Sequence, residues 1–174
     1  MTADHHELLD RSLHAPTWQE RDAARNELKQ AGTSALPALE QALSHQDWKT
    51  RRHVAQLLDN ALDNTNVHVL LRALKDTNAI VRRNSLHSLS CEDCKPEGCW
   101  SVDITAALIE VASTDRSPRV RVAAIGYLHS RPPEQRIVDA LLPLHQSHPH
   151  ARVRSRALCV LQAMEQKLTP RPVP

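Results

Sequence analysis

Five stretches of this chain align without gaps on a single arginine: "ERDAARNEL" (20–28), "TRRHVAQLL" (50–58), "VRRNSLHSL" (81–89), "VRVAAIGYL" (120–128) and "VRSRALCVL" (153–161). The arginines are Arg21, Arg51, Arg82, Arg121 and Arg154. Each precedes a leucine by seven residues: Leu28, Leu58, Leu89, Leu128 and Leu161. Successive arginines are 30, 31, 39 and 33 residues apart. A period of roughly 20–50 residues marks a repeat array, because one unit cannot bury its apolar face alone and neighbours must stack on it.

Ahead of these runs stand shorter apolar patterns, "ALPALEQAL" (35–43), "VHVLLRAL" (67–74), "ITAALIEVA" (104–112) and "IVDALLPL" (137–144). Their apolar spacing near 3.6 predicts helices. Each unit therefore reads as helix A, a short turn, then helix B. With no Phe, one Tyr and three Trp, the core must come from Leu, Val, Ile and Ala, which suits helices. Three glycines are too few for a phosphate-cradling loop, and no dinucleotide or P-loop motif is present.

Advancing 100° per residue from each register arginine, the apolar residues of helix B fall at offsets −1, +3, +4 and +7. The register arginine lies in that apolar sector, so it is expected to hydrogen-bond turns and carboxylates between repeats. Trp18 and Trp48, both at offset −3, border the sector and are expected to pack as turn anchors. The opposite sector carries Lys49, Arg52, His53, Arg83, Arg119, Arg152 and Arg156, with acids in the first repeat at Asp22 and Glu27. From the second repeat on, the B segments hold eleven Lys and Arg against Asp59 and Glu165 alone. A chain of net charge +2 thus sorts its charge, and a basic strip fits a polyanion or an acidic protein.

The longest interval holds an insertion of roughly eight residues, within "LHSLSCEDCKPEGCW" (86–100). Its pattern is His87-x3-Cys91-x2-Cys94-x4-Cys99. Two thiolates in C-x2-C converge on a zinc ion from one turn, and His87 shares a helical face with Cys91 four residues on. These four residues are the expected ligands of a structural zinc. The alternatives are a redox pair of Cys91 and Cys94, although a position after a helix C-terminus disfavours thiolate, and an inert loop with free thiols or a disulfide formed on isolation. Cys159, mid-helix, is expected to pack. His145, His148 and His150 lie together in an A–B turn and are expected to be solvated. The tail "LTPRPVP" is too rich in proline to be helical.

The spacing and the turns "KDTNAIVRR" and "STDRSPRVRV" resemble HEAT repeats, above all the short bacterial type named after phycobilisome lyases. The resemblance covers about residues 5–165. It implies an all-α, right-handed α-solenoid of about five HEAT-like helix pairs, with helix B on the concave side. The family's turn aspartate is matched at Asp76 and Asp115, six residues before Arg82 and Arg121. Ala15, His45 and His148 hold that position elsewhere, so a continuous Asp–Arg ladder is not expected. Some alkylated-base DNA glycosylases have similar solenoids.

Together these features predict one domain over 1–168, with the Cys-rich insertion at about 90–100 and a proline-rich tail at 169–174. No apolar run is long enough to span a membrane, and "MTADHHELLD" lacks a signal sequence, so a cytoplasmic setting is expected. The expected role is a non-enzymatic module. It would bind an acidic protein through Lys49, Arg52, Arg83, Arg119, Arg152 and Arg156. Nucleic-acid binding or DNA repair is the alternative, and thiol redox chemistry a further one.

Overall fold

The computed structural model describes residues 4–61, 67–90 and 102–168, with backbone alone at 60–61. Among these residues the helices are α1 (His5–His14), α2 (Trp18–Ala31), α3 (Leu36–Ala42), α4 (Trp48–Ala61), α5 (His68–Ala73), α6 (Ala79–Ser90), α7 (Ile104–Thr114), α8 (Pro118–Leu128), α9 (Gln135–Ser147) and α10 (Ala151–Leu168). A 3-10 turn, Gly32–Ala35, leads into α3. The described residues contain no strand. Odd-numbered helices are the A helices and even-numbered ones the B helices, which gives the five pairs that the register predicts.

The chain divides into two compact units, Met1–Val102 and Asp103–Pro174. In the first, α2 packs on α4 and α4 on α6, while α1 lies against α2 and α3. In the second, α8 packs against α7 and α10, and α9 against α7 and α10.

Two columns of the register are buried in all five repeats. At offset +7 stand Leu28, Leu58, Leu89, Leu128 and Leu161; at +3 stand Ala24, Val54, Ser85, Ala124 and Ala157. Each buried leucine contributes about 1.5–3 kcal/mol. The smaller residues at +3 let B helices approach closely. Helix starts follow from local chemistry. Thr17 and Glu20 form a reciprocal capping box on α2, and the Asp103 carboxylate accepts the Ala106 N–H of α7. Pro118 opens α8, where its missing N–H costs nothing. Gly32 ends α2 at φ 56°, a conformation side chains resist.

The register arginines grip the A–B turns. Each donates to the carbonyl six residues upstream: Arg21 to Ala15 at 2.6 Å, Arg51 to His45 at 2.7 Å, Arg82 to Asp76 at 2.8 Å, Arg121 to Asp115 at 2.5 Å and Arg154 to His148 at 2.8 Å. Because the acceptor is backbone, the ladder needs no conserved side chain there. The side chain at that position has a separate task, which is to accept the N–H two residues on. Asp76 accepts from Asn78 at 2.7 Å and Asp115 from Ser117 at 2.7 Å. His45 Nδ1 accepts from Asp47 at 3.0 Å and His148 Nδ1 from His150 at 3.1 Å. A neutral imidazole nitrogen therefore replaces a carboxylate oxygen in the turn.

Three side chains depart from expectation. Trp18 is 67% exposed rather than packed as a turn anchor, whereas Trp48 at the same offset is half-buried. Cys159 is a free, exposed thiol, so it does not pack within the chain. His53 is buried, because α1 covers it and Ser12 supplies a polar partner.

Candidate functional site

The six cations predicted to contact a partner divide between the units. Lys49, Arg52 and Arg83 lie on α4 and α6, and Arg119, Arg152 and Arg156 on α8 and α10. All but Arg156 are exposed; Arg156 is half-buried. Its guanidinium lies over Gly126, with Nη2 3.0 Å from where a Cβ would stand. None of the six side chains has an ion pair or hydrogen bond among the described residues. Such unpaired charges keep their full field for a ligand.

On the B helices of the first unit a cleft of about 440 Å³ opens between α2, α4 and α6. Its cationic lining is Arg25 and Lys29 from α2 and Arg52 from α4, with His53 and His87 beside them. Arg25 and Lys29 were missed in the sequence. Arg25 stands at offset +4, where Ala55, Leu86, Ile125 and Leu158 are apolar, and that break in the column is the signal that marks it. Arg25 Nε is buried without a hydrogen-bond partner. No Phe, Tyr or Trp lines the cleft among the described residues.

His53 Nε2 lies 2.8 Å from Ser12 Oγ, and Ser12 donates its one hydroxyl proton to Leu9 O at 2.7 Å. Nε2 must therefore carry the hydrogen, which leaves Nδ1 as a lone pair. Burial first, then the charges of Arg25, Arg52 and His14, lower the His53 pKa to about 4. The ring is neutral near pH 7.

A second recess, of about 930 Å³, lies at the A–B turns of the same unit. Its charges are matched except for exposed Lys75. Arg51 makes a bidentate pair with Asp76 at 2.7 and 2.9 Å, and Arg72 pairs with Glu40. Burial pushes the Asp76 carboxyl up, but bonds from Arg51 and Asn78 and the charges of Arg51 and Arg82 outweigh it and hold it below its ordinary value. Little charge is left there for a ligand.

Of the expected zinc ligands, His87 stands exposed in the last turn of α6; Cys91, Cys94 and Cys99 lie outside the described residues. Among the described residues no cluster of three His, Cys, Asp or Glu is placed to hold a metal. The turn histidines do not converge on an ion. His145 Nδ1 lies 3.3 Å from Arg154 O, and His148 Nδ1 takes a backbone N–H.

The family model for HEAT repeats matches residues 6–90. Residues 6–90 are HEAT repeats. The HEAT array and the pairs that follow it share the fold of a solved structure, the complex of CpcE and CpcF of phycocyanin lyase from Nostoc sp. PCC7120. That match covers 92% of this chain and 99% of the other at a TM-score of 0.65 and 21% identity. The fold class is thus an all-α solenoid. No match was found among curated proteins. No helix among the described residues is long and apolar enough to cross a membrane.

Proposed function

We propose that this HEAT-repeat chain is a non-enzymatic interaction module that binds an acidic protein partner on its B helices. The observation that carries the reading is the set of unpaired cations there, Lys49, Arg52, Arg83, Arg119, Arg152 and Arg156. Arg51, Arg72 and Arg136, which lie elsewhere on the repeats, are all matched by carboxylates. The solved relative in fold is itself a complex of two lyase subunits, which agrees with a protein partner. A cleft with no Phe, Tyr or Trp among its described lining residues argues against nucleic acid, since base stacking on large aromatic side chains carries much of single-strand affinity. The test is titration of a labelled polyglutamate into the parent and into two triple reversals, Lys49→Glu/Arg52→Glu/Arg83→Glu and Arg119→Glu/Arg152→Glu/Arg156→Glu. Loss of binding with helicity intact supports the interface; unchanged binding in both rejects it.

The insertion is assigned a structural zinc held by His87, Cys91, Cys94 and Cys99. Four protein ligands leave no open position for water, so the ion would order the segment rather than catalyse. Elemental analysis of untagged protein purified without chelator, beside Cys94→Ser, tests it. One equivalent of zinc, lost in the variant, supports the site; a metal-free parent rejects it.

A further inference from the structure

We propose that the cleft between α2, α4 and α6 is a carboxylate receptor, taking an Asp or Glu side chain from an acidic partner segment between Arg25 and Arg52. The inference rests on the B helices being the interface, and it names the place and the chemistry within them. Arg25, Lys29 and Arg52 bring three cations to one concavity of about 440 Å³, and none has a carboxylate partner among the described residues. Arg25 Nε, buried and without an acceptor, is the strongest pointer, because a buried donor left unpaired costs stability until a ligand satisfies it. Guanidinium groups bind carboxylate through paired N–H donors.

The rest of the lining selects among anions. Gln56 and Asn84, joined at 3.3 Å across α4 and α6, offer amides to a peptide backbone. Asp59 adds a negative charge that opposes a dense polyphosphate but tolerates a peptide with spaced acids. An acidic protein segment therefore fits better than a nucleic-acid backbone.

His53 gives the site a reporter. The charged or titratable groups around it are His14 of α1, Arg25 of α2, Arg52 of α4 and, elsewhere in the cleft lining, Lys29 of α2, Asp59 of α4 and His87 of α6. A carboxylate seated between the arginines offsets their repulsion of a proton on the ring. The His53 titration midpoint should therefore move up on binding.

The experiment uses the full chain and a labelled peptide of alternating Glu and Gly at low salt, with an oligothymidylate as competitor. The variants are Arg25→Gln, Arg52→Gln and the second-unit pair Arg119→Gln/Arg152→Gln. Circular dichroism confirms folding, and if Arg25→Gln does not fold, the exposed Arg52→Gln carries the test. The expected result is about tenfold weaker peptide binding for each cleft variant. Binding by the second-unit pair should fall less, and the His53 ring signal should shift with peptide. Unchanged peptide affinity in both cleft variants overturns the receptor. If binding then falls only in the second-unit pair, the B-helix interface survives without the cleft; if it falls in none, both readings fail. Binding of oligothymidylate in place of the peptide also overturns the proposal.

Discussion

Arg51 and Arg52 are neighbours on α4 and belong to two different regions. Arg51 faces the A–B turns, donates to His45 O and Gln46 O, and clasps Asp76 of the next repeat. Arg52 faces the cleft and has no ion pair or hydrogen bond among the described residues. The same division separates Arg82, buried and donating to Asp76 O and Thr77 O, from exposed Arg83. One step along a helix turns a side chain by 100°, and that step decides whether a charge joins the scaffold or meets the solvent. The lesson is that counting arginines in such a repeat says little, whereas pairing and burial sort them.

The turn region should respond most strongly to damage. Asp76→Ala removes the carboxylate that joins Arg51 to the third repeat and leaves a nearly buried guanidinium with two carbonyls and the Thr77 hydroxyl as its neutral acceptors. We expect a loss of about 3 kcal/mol in urea unfolding. The parent should show the same weakness in acid. The Asp76 pKa is lowered in the fold, so its contribution is complete above the ordinary carboxylate range and disappears as pH falls through the lowered value.

A smaller but broader effect should come from His53, at the border of the two regions. Its folded pKa of about 4 lies below the ordinary imidazole value of 6.5, so the unfolded chain binds more protons between them. Stability should rise by about 2–3 kcal/mol from pH 4 to pH 7 and then level off. His53→Gln should flatten that rise in unfolding midpoints measured against pH.

The turn histidines sharpen the comparison further. His148→Asp should keep stability, because a carboxylate oxygen can accept the His150 N–H that Nδ1 now accepts. His148→Ala should cost about 1 kcal/mol by thermal unfolding. The smallest effect belongs to the exposed network of the second unit, where Arg136 pairs with Asp103 and Glu134. Those side chains of Arg136 and Asp103 are 43% and 51% exposed, against 11% and 9% for Arg51 and Asp76. Arg136→Gln should therefore change stability by less than about 1 kcal/mol.

The repeat period, the five helix pairs and the structural role of the register arginine were legible in the sequence, because they rest on periodic local patterns. The turn acceptors were half legible. Asp76 and Asp115 stood out as aspartates, but His45 and His148 looked like exceptions until their Nδ1 atoms were seen in the same role. The cleft was less legible still, since it depends on which side chains three separate helices bring together. Arg25 was hidden by the assumption that offset +4 is always core, whereas in the first repeat that position lines the cleft. His53 was assigned to the polar sector because nothing in its own helix reveals Ser12 of α1 above it.

The most direct test of this sorting compares Arg51→Gln with Arg52→Gln in two assays, urea unfolding and titration with labelled polyglutamate. The account predicts that Arg51→Gln is destabilised by about 2–3 kcal/mol. It predicts that Arg52→Gln is as stable as the parent within about 0.5 kcal/mol but binds the peptide about tenfold more weakly. Equal losses of stability in the two variants, or full peptide affinity in Arg52→Gln, would contradict it.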